Sequence, residues 1–204
     1  MVNERIIKKV DMRYFIKDIS TVRSGVHFRS KIENAVDGSV SVIQLRDVDD
    51  AGKISSEHIL KTDALNDMKV EYLNKGDVLF KAKSNRKVAA VFDEDFGLTV
   101  ATVHYLVLKI KKKLALPEYV AWFLNHRKAQ VYFGQNAEGS SFRSLSIIKK
   151  ALLEKLEIDV PSIECQKKII EISRLYEEEK NIEQELRQKK DLFIEEVLLK
   201  KVSQ

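Results

Sequence analysis

The chain has 204 residues, 44% of them hydrophobic and 33% charged, with a net charge of +5. That is enough apolar material to bury a core without disulfides or metals, and more charge than an average globular chain carries, which points to long solvated helices or a charged partner. A single cysteine excludes a disulfide framework and any multi-cysteine zinc or iron–sulfur site, and fits a reducing cytoplasm.

Met1 to Phe15 breaks its apolar residues with charges, so no secretory signal is expected there. No apolar run approaches the roughly 18–20 residues of a membrane helix, and a cytoplasmic protein is expected. Val40 to Leu45 is β-branched and bounded by Asp37-Gly38 and by Asp47, Asp49, Asp50 and Gly52, which reads as a strand. Lys75-Gly76-Asp77 is a turn, and Val78-Leu79-Phe80 is a short strand after it. Val88 to Phe92, Leu98 to Val103 and Tyr105 to Ile110 are further strands. The period changes at Pro117, which suits the first helical position, with Glu118 in the first turn. Val120, Phe123, Leu124 and Val131 keep helical spacing, so one helix is predicted over 117–133. Gln135 to Ser141 reads as a polar loop. Leu152 to Val160 holds a short strand or helix end, closed by Pro161.

Beyond Pro161 there is no glycine or proline, and one long helix is predicted from about Glu164 to Lys201. At about 1.5 Å per residue it reaches roughly 57 Å. Ile172, Leu175, Ile182, Leu186 and Phe193 follow a and d spacing, interrupted by Glu179 and Lys189 and drifting to Val197 and Leu198. A helix this long cannot bury its stripe on a small domain alone. It calls for a second helix from another copy or a partner, the plainer alternative being a fold back onto its own domain. The expected fold class is therefore α+β: a strand-rich domain with helices over 1–160, then a coiled-coil helix over 161–204.

Little in the chain suggests catalysis. His27, His58, His104 and His126 have no metal-binding spacing, and His104 reads as an ordinary half-buried side chain in a strand-like run. Cys165 falls near the start of the long helix, but no signature ties it to a base. Neither Gly-rich phosphate-binding motif occurs. Asp93, Glu94 and Asp95 lack a partner lysine at nuclease spacing. No metal and no cofactor is expected in this chain.

Charge is uneven. From His104 to Ala151 nine cations face two acids, a balance of +7, so the remainder carries −2. Three polar loops carry cations with Ser, Asn or Gln. The first spans Arg23 to Lys31 and includes Arg29. The second holds Lys81, Lys83, Ser84, Asn85, Arg86 and Lys87. The third holds Gln135, Asn136, Ser140, Ser141 and Arg143. Lysine and arginine neutralise phosphates and give salt-dependent affinity. Arginine reads guanine, and asparagine or glutamine reads adenine, in the major groove. The same runs also serve as solvated loop faces. In the second loop Asn85 and Arg86 are expected to set sequence preference, and Lys111 and Lys112, outside the three loops, to bind all DNA evenly.

Six ordered motifs resemble the specificity subunit of a type I restriction–modification system. They are Ser24-Gly25 with Phe28-Arg29-Ser30; Ile43 to Asp47; Gly76 to Phe80; Leu116 to Leu124, read LPEYVAWFL; Gly139-Ser140 ahead of Leu145-Ser146; and Leu156 to Pro161 with Gln166 to Ile169. They cover about residues 10 to 200. Cys165 departs from the family, which tends to be acidic before that glutamine. The resemblance implies a target-recognition domain over 1–160 and a helical spacer over 161–204. Family members usually carry two of each, so this chain resembles a half-subunit. It implies no catalysis by the chain. It implies a reader of double-stranded DNA that seats adenine methyltransferase subunits, which would bind S-adenosylmethionine and flip the base, together with a translocating nuclease subunit in some systems.

A half-subunit pairs most simply as a homodimer with antiparallel helices. Its two domains then read inverted copies of one half-site, and at about 3.4 Å per base pair the helix caps their separation near 17 base pairs. Two alternatives stay open: a fragment whose natural partner is a different half, and a coiled-coil adaptor that never touches nucleic acid.

Overall fold

The computed structural model describes residues 12–35, 37–63, 65, 70–111, 113–139 and 146–202. The chain divides into two compact units, Met1–Gln166 and Lys167–Gln204.

The first unit is built on three sheets. The largest has four strands in the order β2-β8-β5-β6, from Ser20–Ser24, Tyr105–Ile110, Asp77–Lys81 and Ala89–Phe92. All of its neighbours are antiparallel. A second sheet places β3 (Val40–Ile43) between antiparallel β4 (Leu60–Thr62) and parallel β7 (Thr99–Ala101). The third pairs β1 (Met12–Phe15) with β9 (Glu157–Val160), so the two ends of the domain are joined by backbone hydrogen bonds.

The predicted strands occur, and the reason for their composition is visible in β5. Leu79 packs into a core with Ile43, Phe92, Ala101, Tyr105 and Val107. The next residue, Phe80, points the other way and meets Phe133 at 4.9 Å between ring centroids. Both faces of this central strand are covered, so it reads as an unbroken apolar run rather than an alternation. A smaller cluster of Val40, Val42, Leu65 and Val100 is lined by Val26 and Phe28 from the first polar loop and by Ile32 just after it. The strand predicted to Leu45 stops at Ile43. Gln44 there donates its N–H to the Asp47 carboxylate at 2.6 Å and opens a 3₁₀ turn over Leu45–Asp47.

The helix predicted over 117–133 is two helices. The first of note after the short α1 (Ile16–Ile19) is α2 (Pro117–Asn125), followed by α3 (Arg127–Asn136). Asn125 is the reason for the break. Its side-chain amide accepts from Ala89 N–H and donates to Ala89 C=O, both at 2.8 Å, continuing the ladder beyond edge strand β6. His126 then leaves helical geometry, and its Nδ1 accepts from Lys128 N–H at 3.3 Å as the cap of α3. Helix α3 runs on to Asn136, so Gln135 and Asn136 lie in its last turn and not in a loop. A short α4 (Lys150–Glu154) precedes β9.

Asp159 on β9 ties three elements together. It accepts from Arg13 of β1 at 3.2 Å and from Lys128 of α3 at 2.8 Å. The Lys128 and Arg13 bonds hold its pKa below the ordinary aspartate value. A depressed folded pKa contributes stability above the unfolded value that is lost as pH falls through the folded one. Asp159→Asn should therefore cost about 1 kcal/mol at neutral pH, because both cations are largely exposed. The difference from the parent should shrink in urea titrations below about pH 4; a penalty independent of pH would contradict the assignment.

The second unit belongs to α5 (Ile163–Val202), which is one continuous helix. From Arg174 to Lys201 every residue is exposed. The pairs Arg174–Glu178, Lys180–Glu177 and Lys200–Glu196 line its surface. No helix among the described residues is long and apolar enough to cross a membrane.

Candidate nucleic-acid interface

The three polar loops are far apart in sequence but share a framework. Gly25 and Val26 lie against the turn before β8: Gly25 N–H donates to Tyr105 C=O at 3.0 Å, and Val103 N–H donates to Val26 C=O at 2.8 Å. A Cβ on Gly25 would stand 2.1 Å from the Thr102 carbonyl oxygen, so glycine alone fits this approach. His104 C=O accepts from both Ala82 and Lys83 N–H, at 3.0 and 3.1 Å, which brings in the second loop. Ile148 N–H donates to Ala82 C=O at 2.9 Å, and Ile147 bridges to Lys83 on one side and Glu138 on the other. The bases of the second and third loops are thus one small antiparallel ribbon.

On this framework the predicted residues separate. Arg29, Lys31, Asn85, Arg86, Gln135 and Asn136 are exposed, and Lys83 and Ser84 are half-buried. Arg86 pairs with the Asp50 carboxylate, and Asn136 donates its amide to Tyr132 C=O at 2.8 Å. Ser140, Ser141 and Arg143 lie outside the described residues, as does Lys112. Lys81 and Lys87 are not at the surface; each is 7% exposed. Lys81 ends β5 and Lys87 lies in the loop before β6, and both amines donate to backbone carbonyls. Lys81 Nζ donates to Val48 C=O. Lys87 Nζ donates to the carbonyls of Ala82 at 3.0 Å, of Ser146 at 2.5 Å, and of Ser84. Its three donors meet three acceptors, two in the second loop and one at the exit of the third. Burial pushes its pKa down to about 8. Lys87 is therefore an internal tie between two loops rather than a phosphate contact.

Other residues of this region escape sequence reading. His104 lies between the first two loops, with Nδ1 buried and without a hydrogen-bond partner among the described residues. Burial, and then the Lys83 charge, lower its pKa. Gln130 on α3 donates to Lys87 C=O at 2.7 Å and Leu124 C=O at 2.6 Å, fixing the loop end to the helix pair. Lys149 pairs with Glu138 at 2.8 Å across the ribbon. No pattern of spacing marks any of them, because their surroundings come from segments brought together by the fold.

Among the described residues no group of His, Cys, Asp and Glu is arranged to hold a metal. Cys165 is half-buried, and its backbone N–H donates to Ser162 Oγ at 3.4 Å in the first turn of α5.

The described residues thus form an α+β domain that gathers polar, cation-bearing loops on one backbone framework, followed by a long helix with an exposed apolar stripe. The chain belongs to the type I restriction modification DNA specificity domain family, whose model matches residues 9–189. No curated protein matches it. Solved structures share its fold. The HsdS subunit from Thermoanaerobacter tengcongensis aligns with a TM-score of 0.61 at 15% identity, over 85% of this chain and 44% of that one. A structure described as "Structural basis underlying complex assembly and conformational transition of the type I R-M system" gives 0.62 at 12% identity, over 85% and 44%. The type I restriction–modification S subunit from M. genitalium gives 0.54 at 15%, over 82% and 39%. The chain thus spans about two fifths of the length of these relatives.

Proposed function

We propose that the chain is a DNA sequence reader of a type I restriction–modification system. Its loops read one half of a bipartite site, and it docks adenine methyltransferase subunits and, in complexes that cleave, a translocating nuclease subunit. S-adenosylmethionine belongs to the methyltransferase partner, and this chain performs no chemistry of its own. The observation that carries the reading is the shared backbone framework beneath the three polar loops, in a chain of the DNA specificity domain family. The helix stripe supports pairing with a second long helix, most simply from another copy in antiparallel array.

The test is reconstitution with an adenine methyltransferase of the same system. Methylated adenines should map to an inverted repeat interrupted by a gap of up to about 17 base pairs. Asn85→Ala should change the preferred half-site, while Lys111→Ala should weaken cognate and shuffled duplexes evenly. Equal loss on every sequence from Asn85→Ala would argue against direct reading there. Absence of DNA retention at low salt, with and without the methyltransferase, would favour the adaptor reading instead.

A further inference from the structure

The seam of α5 has an order that periodicity alone does not require. Its positions are Leu175, Glu179, Ile182, Leu186, Lys189 and Phe193, all exposed on one continuous helix. The sequence numbers pair about residue 184: Leu175 with Phe193, Glu179 with Lys189, Ile182 with Leu186. An antiparallel two-fold turns such a reflection into contacts, because a residue n places before the axis meets one n places after it on the other chain.

We infer that α5 binds a second copy of this chain antiparallel, with the two-fold axis at Gln184 and Glu179 facing the partner's Lys189 in the seam. The inference rests on the helix pairing proposed above and specifies its register. In that register Ile182 meets the partner's Leu186 in the two layers beside the axis. Glu179 and the partner's Lys189 form the next layer on each side. Leu175 and the partner's Phe193 close the apolar block beyond it.

Neighbouring registers do not work. Sliding the axis half a heptad towards the N-terminus sets Glu179 against the partner's Ile182 and Ile172 against the partner's Lys189. Sliding it the other way sets Glu179 against the partner's Glu196 and Leu186 against the partner's Lys189. Either slip separates Glu179 from the partner's Lys189 and sets an unpaired charge against Ile182 or Leu186, which is the device by which one polar seam position fixes alignment. The register at Gln184 overlaps the helices from 166 to 202. Two features oppose it. Ile172 falls opposite the partner's Glu196, and Glu183 and Glu185 flank the axis beside their own counterparts. All three glutamates are exposed, so solvent and salt screen their repulsion.

The test is charge reversal in the full chain, read by sedimentation equilibrium. Glu179→Lys alone sets lysine against the partner's Lys189 in two layers, and Lys189→Glu alone sets glutamate against glutamate. Each should weaken self-association by at least about 30-fold. The double variant, Glu179→Lys with Lys189→Glu, should restore it. Mixing the two single variants should also restore it, because both cross-chain pairs become complementary. Both positions are exposed on the helix surface, so circular dichroism should show every variant folded. Single reversals that leave a wild-type-like dimer, or a double variant as weak as the singles, would overturn the register while leaving the pairing intact. A monomeric parent chain would overturn the pairing itself.

Discussion

Replacing Gln166 with alanine should cost about 2–3 kcal/mol of stability. Its side chain is fully buried. Oε1 accepts from Leu116 N–H at 2.8 Å, and Nε2 donates to Leu114 C=O at 3.1 Å and Pro161 C=O at 2.8 Å. One amide thus satisfies three backbone groups: the entry to α2, the turn before it, and the residue leading into α5. Leu116 N–H precedes the first helical turn and has no intrahelical partner to fall back on. Alanine removes one acceptor and two donors from a site that admits little water, and a glutamate would keep the acceptor while facing two carbonyls without a donor. Glu should therefore be no better than Ala. The measurement is the urea midpoint at unchanged slope, which isolates a stability change from a change in the surface exposed. A loss under about 0.5 kcal/mol would show that the three groups find other partners.

Leu186→Asp should raise the dissociation constant of the helix pair by about 100-fold or more. The parent side chain is 52% exposed in the single chain, so the substitution leaves the helix itself intact. In a two-fold pair the change occurs twice, in the two layers nearest the axis, and each aspartate enters an apolar layer opposite the partner's Ile182 without a cation. Sedimentation at micromolar concentration should then show monomer, while thermal melting of the recognition domain is unchanged. A persistent dimer would mean that association uses another surface. The comparison with Glu179→Lys separates loss of burial from loss of register, since only the latter is repaired by a second reversal.

Much of the architecture was legible because it rests on local chemistry. Val40 and Tyr105 begin β-branched or aromatic runs and open β3 and β8, and Val78 begins the apolar run inside β5. Pro117 marked the start of α2, and the stretch after Pro161 without glycine or proline marked α5. What stayed hidden depends on partners. β1, β2 and β4 are short, with no alternation long enough to mark them, and exist as strands through pairing with β9, β8 and β3. The break between α2 and α3 lies in a favourable helical pattern, and it comes from Asn125 bonding to Ala89 instead of continuing the helix. Lys81 and Lys87 belonged to a basic run whose composition matches a DNA-facing loop. Backbone carbonyls inside the fold hold their amines inward.

The sequence by itself determined the period and the polarity. A strand-rich domain, a long uncovered helix, a seam with opposite charges reflected about Gln184, and the family motifs from Ser24-Gly25 to Gln166 are all properties of residue order. The tertiary structure decided which polar groups meet. It joined the three loops through the Gly25, His104 and Ile147 backbones. It also separated exposed Asn85 and Arg86 from buried Lys87 one or two positions away. The physical reason is that a hydrogen bond is set by position in space to within a few tenths of an ångström, whereas composition records only that donors and acceptors are present.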